Sequence, residues 1–187
     1  MPRKTRPNDH EPVMTGSRAL VALGSNQGDP AATVVAAMTR LRREFGSRSW
    51  RESGLWRTAP VNCPPGSPDF VNAVVAFEYG FETADATAAL TLLEALLALE
   101  REWGRPDRRA QNAPRPLDLD LLLFGDLRLD LPECTLPHPR ALDRRFVLEP
   151  AAEVAPSWIW PGTGRSVRAL CEALREAPGS EVVERLV

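Results

Sequence analysis

Lysine is nearly missing from this chain. Lys4 is the only one among 187 residues, and arginine carries the rest of the positive charge, a bias we read as the base composition of the gene. A phosphate loop of the form G-x-x-x-x-G-K-[ST] is absent, and Lys4, in a polar leader, could not supply its lysine. The dinucleotide pattern G-x-G-x-x-G is missing as well. No apolar run approaches the roughly 20 residues of a membrane span, and the N-terminus lacks the apolar stretch of a signal peptide. Cysteine is scarce. Cys63, Cys134 and Cys171 are widely spaced, odd in number and without a C-x-x-C pair, which suggests structural thiols in a reducing cytoplasm. The formal net charge of −2 argues against general, charge-driven affinity for nucleic acid or membranes. Internal repeats and linkers are also lacking.

What is present is an ordinary globular composition, 43% hydrophobic and 26% charged, in a chain long enough for one domain with a real core. Residues 1–18 are polar, with Pro2, Pro7 and Pro12, and read as a disordered tail. Residues 19–187 read as a single domain. Ala19 to Leu23 is a buried strand that ends in a Gly24-Ser25-Asn26 turn. Asp29 and Pro30 mark a helix start; Val34, Met38, Leu41 and Phe45 recur at helical spacing, and Gly46 closes the element. Ser49 to Thr58 reads as a strand and Ala59 to Pro68 as a loop.

Asp69 to Tyr79 alternates, with Val71, Ala73, Val75, Phe77 and Tyr79 on one face and Phe70, Asn72, Val74 and Ala76 on the other. A second helix is predicted from about Asp85 to Trp103, with Leu90, Leu93, Leu97 and Glu100 spaced along it. An arginine-rich loop, Arg105 to Pro116, leads into a strand from Asp118 to Phe124. A Gly125-Asp126 hairpin to a short partner near Leu127–Leu129 is expected next. Pro132 to Pro139 reads as a loop, Ala141–Phe146 and Glu149–Val154 as short helical pieces, and Val167–Glu176 as a last helix. Strand, helix, strand, strand, helix, strand predicts an α+β sandwich of the ferredoxin-like kind, with an antiparallel sheet whose second face stays open to bind a ligand.

The chemistry gathers around Asp118 and Asp120. In a strand, residues two apart share a face, so Leu117, Leu119, Leu121 and Leu123 would line a core while the two carboxylates stand side by side opposite. Such a pair either ends an exposed strand in solvent or holds a hard cation such as Mg²⁺. The surroundings favour the cation: Arg105, Arg108, Arg109 and Arg115 lie upstream, and His138, Arg140, Arg144 and Arg145 downstream, a set suited to phosphate. Phe70 and Asn72 share a face. An aromatic plane beside an amide suits a flat heterocycle with an N–H/C=O edge, although an Asn on an exposed sheet has the same look. Gly24 to Asp29 is a tight strand-to-helix turn or an anion site at a helix start. Trp50 and Trp56 read as packing residues.

These stretches together resemble a known family. Leu23-Gly24-Ser25-Asn26-x-Gly28-Asp29, Arg57-Thr58-x-Pro60, Asp69-Phe70-Val71-Asn72-Ala73-Val74-Val75, Pro114-Arg115-x-Leu117-Asp118-Leu119-Asp120 with Leu121 to Gly125, and Leu136-Pro137-His138-Pro139-Arg140 occur in the order found in the 6-hydroxymethyl-7,8-dihydropterin pyrophosphokinases of folate biosynthesis. The resemblance covers about Ala19 to Gly164. It implies transfer of a whole diphosphate from ATP to the pterin hydroxymethyl group, leaving AMP. It also implies two Mg²⁺ ions on Asp118 and Asp120, and phosphate contacts from Arg105, Arg115 and Arg144. With the two aspartates, Arg105 and Arg115 form the implied catalytic set. His138 matches an ATP contact, and Glu100, Leu121 and Thr135 match positions lining the ATP site. Thr58, Val61, Phe70 and Asn72 match the pterin pocket, with Phe146 as its second stacking ring.

The chain departs from the family in four places. Gln111-Asn112-Ala113 replaces an Arg-Trp-Gly, which leaves Asn112 at the pterin pocket where a tryptophan is usual. Pro116 replaces a Ser or Thr. Asp107 takes the place of a loop arginine, and the segment between Tyr79 and Leu90 is longer than usual. The expectations are therefore a cytoplasmic, monomeric ATP-dependent diphosphokinase acting on small molecules. The alternative is a diverged paralogue that binds nucleotide or pterin without catalysis. An RNA-binding module, which open sheets of this kind can form, lacks its interleaved aromatics and basic surface here.

Overall fold

The computed structural model describes residues 17–46, 49–60, 64–80, 84–104 and 116–186. Strand β1 (Ser17–Ser25) runs between β4 (Phe70–Tyr79) and β5 (Asp118–Phe124), antiparallel to both. Beyond β4 come the two-residue β2 (Arg51–Glu52) and β3 (Leu55–Thr58), and β8 (Val183–Leu186) closes that side. The order β5-β1-β4-β3, with helices α1 (Pro30–Phe45) and α2 (Ala86–Glu102) as its crossovers, is the antiparallel α+β arrangement expected from the sequence. β6 (Leu129–Asp130) and β7 (Thr135–Leu136) form a separate hairpin. A 3₁₀ turn (Ala141–Asp143), α3 (Arg145–Val154) and α4 (Val167–Glu176) complete the chain. Among the described residues no helix is long and apolar enough to cross a membrane.

Both long helices begin as their sequences dictate. The Asp29 carboxylate accepts the Ala32 N–H at 3.0 Å ahead of Pro30, and the Asp85 carboxylate accepts the Ala88 N–H at 2.8 Å. Each satisfies one of the donors a helix start leaves open. The two helices cover one face of the sheet, where Val21, Leu23, Val75, Phe77 and Leu119 meet Val34, Leu41, Leu92 and Leu96. The buried side of α2 is Leu92, Leu96, Leu99 and Glu100, rotated from the Leu90, Leu93, Leu97 stripe the spacing suggests; Leu90 and Leu93 only flank this core. Trp50 stacks on Phe77 with ring centroids 5.2 Å apart, a packing role as expected.

The second face is not open along its whole length. Helices α3 and α4 lie over Leu20, Val74, Ala76, Leu122 and Leu123, with Leu148, Val154, Trp160 and Cys171 filling the layer between. Of the helical pieces expected at Ala141–Phe146 and Glu149–Val154, the first is only a 3₁₀ turn at Ala141–Asp143, ended by an extended Arg144, while its last two residues join the second in one helix, α3. It runs through Pro150, which forgoes one rung of the ladder. The apolar layer reaches Val74 and Leu122, and the polar side chains beyond it on that face form the candidate site. Cys134 and Cys171 are buried free thiols, and burial together with nearby Glu149 pushes the Cys171 thiol up to about 11.

Three local departures from the expected elements have clear causes. Ser53 splits the expected strand 49–58: its N–H donates to the Val74 carbonyl (3.0 Å) while its own Oγ accepts the Val74 N–H (2.9 Å), so a side chain stands in for a backbone rung. Strand β5 carries a bulge, because Leu20 pairs with Leu123 but Val21 pairs with Leu121. The extra residue, Leu122, flips the alternation. Leu123 therefore joins the α3/α4 core and Phe124 the α1/α2 core, against the simple Leu117-to-Leu123 face. The third departure is that β5 has no hairpin partner at Leu127–Leu129. Its outer edge is occupied by the Glu100 carboxylate, which accepts the Leu119 N–H at 2.8 Å, and by His138, whose N–H donates to the Leu122 carbonyl at 2.9 Å. Capping an edge in this way hides groups that would otherwise pair with another chain.

Candidate active site

Alternation sets which side chains reach this end of the second face. On β5 these are Asp118 and Asp120, ahead of the bulge. On β4 they are Phe70 and Asn72, and on β3 Trp56 and Thr58, which are the register partners of Asn72 and Phe70. Gly24 of β1 is the register partner of both Asn72 and Asp118. A Cβ at Gly24 would lie 3.0 Å from the Asn72 Oδ1, so glycine here leaves room for that amide. The sequence shows Gly24 only as a turn residue. Its position at the end of an apolar strand, opposite the Phe70/Asn72 face, is the signal that could have singled it out.

Asn72 is buried, and its Nδ2 donates to the Thr58 Oγ1 at 3.0 Å. The exposed-sheet reading of Asn72 is thereby overturned. Phe70 is half-buried at the start of β4. Phe146 is half-buried at the start of α3, with the Arg144 guanidinium 5.4 Å from its ring centroid, within cation–π range.

The carboxylates stand among cations. The loop of His138 is tied to β5 by the bond to Leu122, which brings its imidazole beside Asp120 and Asp118. Burial lowers the His138 pKa most; Asp120 opposes this, while Arg144 and Arg140 add to it. The imidazole is therefore neutral at pH 7. Its Nδ1 accepts the Arg140 N–H at 3.3 Å, so the ring proton sits on Nε2, a donor. Burial also lowers the Arg144 pKa, with Arg140 adding to it and Asp120 and Asp118 opposing. A guanidinium nonetheless stays charged at any relevant pH. The result is two carboxylates, a guanidinium and a neutral N–H donor at one end of one sheet face.

The remaining expected residues fall in different places. Thr135 is exposed on β7. It lines, with His138, Arg128 and Trp160, a cleft of about 500 Å³ that neither carboxylate borders. The Leu121 side chain lies in the α1/α2 core, which leaves only its backbone to a ligand. Glu100 is fully buried and holds the Leu119 N–H. Val61, Arg105, Asn112 and Arg115 lie outside the described residues.

Among the described residues no group of three or more His, Cys, Asp or Glu is placed to hold a metal. Mg²⁺ does not need one, since it is commonly held by one or two carboxylates together with substrate phosphates. The hard-oxygen pair of Asp118 and Asp120 on one strand face fits that habit.

Comparison with known proteins agrees with this geometry. A wild-type HPPK-DHPS structure from Plasmodium falciparum, solved with pterin and p-hydroxybenzoate, superposes with a TM-score of 0.63 over 91% of this chain at 13% identity. The present chain spans 46% of that one, and the likeness is one of fold. In sequence, the chain is 40% identical over 169 residues to a 2-amino-4-hydroxy-6-hydroxymethyldihydropteridine pyrophosphokinase of Pseudomonas aeruginosa, covering 90% of this chain and 96% of the relative. It is 35% identical over 154 residues to a protein of the same name from Synechocystis, covering 82% and 74%. Residues 20–156 match the model of the 7,8-dihydro-6-hydroxymethylpterin-pyrophosphokinase family, and the chain belongs to that family.

Proposed function

We propose that this protein transfers diphosphate from ATP to the hydroxymethyl group of 6-hydroxymethyl-7,8-dihydropterin. It is an ATP-dependent diphosphokinase, a transferase of folate synthesis, with ATP as co-substrate. The hydroxymethyl oxygen bonds to the β-phosphorus and gives up its proton to solvent, the bond from that phosphorus to the α–β bridging oxygen breaks, and AMP leaves. One observation carries the reading: in a chain whose residues 20–156 match the family, the register sets the buried amide of Asn72 and the carboxylate of Asp118 on either side of Gly24.

In this reading Thr58 holds the Asn72 amide ready for the N–H/C=O edge of the pterin, Phe70 and Phe146 stack on the ring, and Val61 and Asn112 are assigned to the same substrate by the family positions they match. Asp118 and Asp120 hold two Mg²⁺ ions, which when bound neutralise polyphosphate charge and polarise the attacking oxygen. Arg144, with Arg105 and Arg115, balances the charge that builds on the phosphate oxygens. His138 offers its Nε2–H to a phosphate oxygen. Thr135 and the Leu121 backbone border the nucleotide, while Glu100 fixes the β5 edge on which it rests. The enzyme works as a monomer in the cytoplasm, without nucleic acid or membrane.

Incubation with ATP, Mg²⁺ and the hydroxymethyl-dihydropterin tests the reaction. AMP should appear in step with pterin consumption. ADP in its place would overturn diphosphate transfer.

A further inference from the structure

The start of α3 carries Arg144 at its N-cap and Phe146 in its first turn. A helix start needs acceptors for its open N–H groups, and the Arg144 side chain makes no capping bond. The acceptor comes from 36 residues downstream: Oε2 of Glu181 accepts the Arg145 N–H at 3.0 Å. The Arg145 guanidinium returns a bond to the Glu181 carbonyl at 2.9 Å. Its other edge donates to the buried Glu149 at 2.7 and 3.2 Å, and Glu149 is also gripped from α4 by Arg175. The Glu181 carboxylate lies close enough to Arg144 to favour its charged form. Two residues later the chain enters β8, where Val183 is the register partner of Thr58, and Thr58 in turn holds Asn72. One short segment therefore touches both the helix start that bears Arg144 and Phe146 and the strand that bears Thr58.

We propose that Glu181 is a positioning residue of this active site, a cap supplied from the far end of the chain that fixes Arg144 and Phe146 relative to the Thr58–Asn72 wall. The proposal rests on the reading of Arg144 as a phosphate ligand. Without the carboxylate, the first turn of α3 loses its acceptor, and the Arg145 guanidinium, still bonded to the Glu181 backbone carbonyl and to Glu149, no longer has the capped N–H beside it to fix the turn. Arg144 then samples orientations off the phosphates, while the hydrophobic layer under α3 stays in place.

The test compares full-length wild type with Glu181→Ala, Glu181→Gln, Arg144→Ala and the Arg144→Ala/Glu181→Ala double variant. The readings are kcat, KM for MgATP, MgATP affinity and thermal midpoint. Glu181→Ala should lower kcat/KM by about tenfold or more, as small misplacements of a ligand do. Glu181→Gln, which still offers an oxygen to the Arg145 N–H, should recover most of that loss. In the Arg144→Ala background, Glu181→Ala should cost less than about twofold further, because a residue that acts through another is not additive with it. A changed thermal midpoint with unchanged kcat/KM in Glu181→Ala would overturn the proposal, as would an equal penalty with and without Arg144. If Arg144→Ala keeps wild-type MgATP affinity, the site reading fails and takes the proposal with it. A large loss in Arg144→Ala with none in Glu181→Ala overturns the positioning role alone.

Discussion

The amide of Asn72 donates to the hydroxyl of Thr58 across 3.0 Å, from a buried side chain to a buried side chain. That bond spends one N–H and fixes which way the amide faces, so the same group is pre-set for a ligand edge. Asn72→Ala should weaken pterin binding by roughly 1–3 kcal/mol, the usual cost of leaving buried polar partners unpaired. Asn72→Asp should be at least as damaging because it can no longer donate. Fluorescence titration with pterin checks this, and wild-type affinity in both variants would remove Asn72 from the pocket.

Gly24→Ala is expected to act through its neighbour. The added Cβ meets the Asn72 Oδ1 at 3.0 Å, tighter than ordinary contact, and the amide must turn to relieve it. Pterin affinity should therefore fall several-fold, and MgATP affinity should fall less. Equal losses of both ligands in paired titrations would mean that the sheet end, and not the amide, has shifted.

Asp120→Ala should reduce Mg²⁺-dependent ATP affinity far more than pterin affinity. It should also be visible at His138, because Asp120 is the first of the groups that favour the protonated imidazole. Removing it lowers that pKa further. The chain has two histidines, His10 and His138, so an NMR titration of the imidazole protons reads the shift directly. An unmoved or rising His138 titration would contradict the geometry.

Glu149 makes acid stability testable. Burial alone would raise its pKa, but hydrogen bonds from Arg175 and Arg145 outweigh burial and hold it at about 2, below the ordinary 4.5. A depressed carboxylate contributes stability that is complete above the unfolded pKa and is lost as pH falls through the folded one. The loss should run from about pH 4.5 down to 2 and amount to roughly 2–3 kcal/mol, since Arg175 is half exposed and partly screened. Urea midpoints measured against pH should show this slope in wild type and a flatter one in Glu149→Gln. An identical slope in both would place the acid sensitivity elsewhere.

The strand and helix order was legible because each main element is long and periodic, and the capping aspartates and Pro30 marked its start. What the sequence hid was set by contacts between distant segments. The bulge at Leu122 exists only because β1 pairs with β5 on both sides of it. The α3/α4 cover was obscured because the sequence reads as two short pieces with a gap between Phe146 and Glu149, whereas Arg145 to Val154 is one packed helix. Strand β8 is short, with two exposed residues, and offers no pattern until β3 supplies its partner. In the site, Asp118, Asp120 and Asn72 were legible from two-residue spacing. Gly24 needed the register, and Glu181 lies 36 residues from the backbone N–H it caps.

The placement of Gly24 makes the sheet itself a ruler. Asn72 and Asp118 sit on strands one apart, with β1 between them. Two inter-strand steps of about 4.8 Å separate their backbones by roughly 10 Å. Backbone hydrogen bonds fix that interval, so it cannot stretch as a loop can. A substrate whose ring and reacting oxygen match the interval spans it unaided. One extra methylene between ring and hydroxyl would lengthen the substrate against an interval that the sheet cannot lengthen to match.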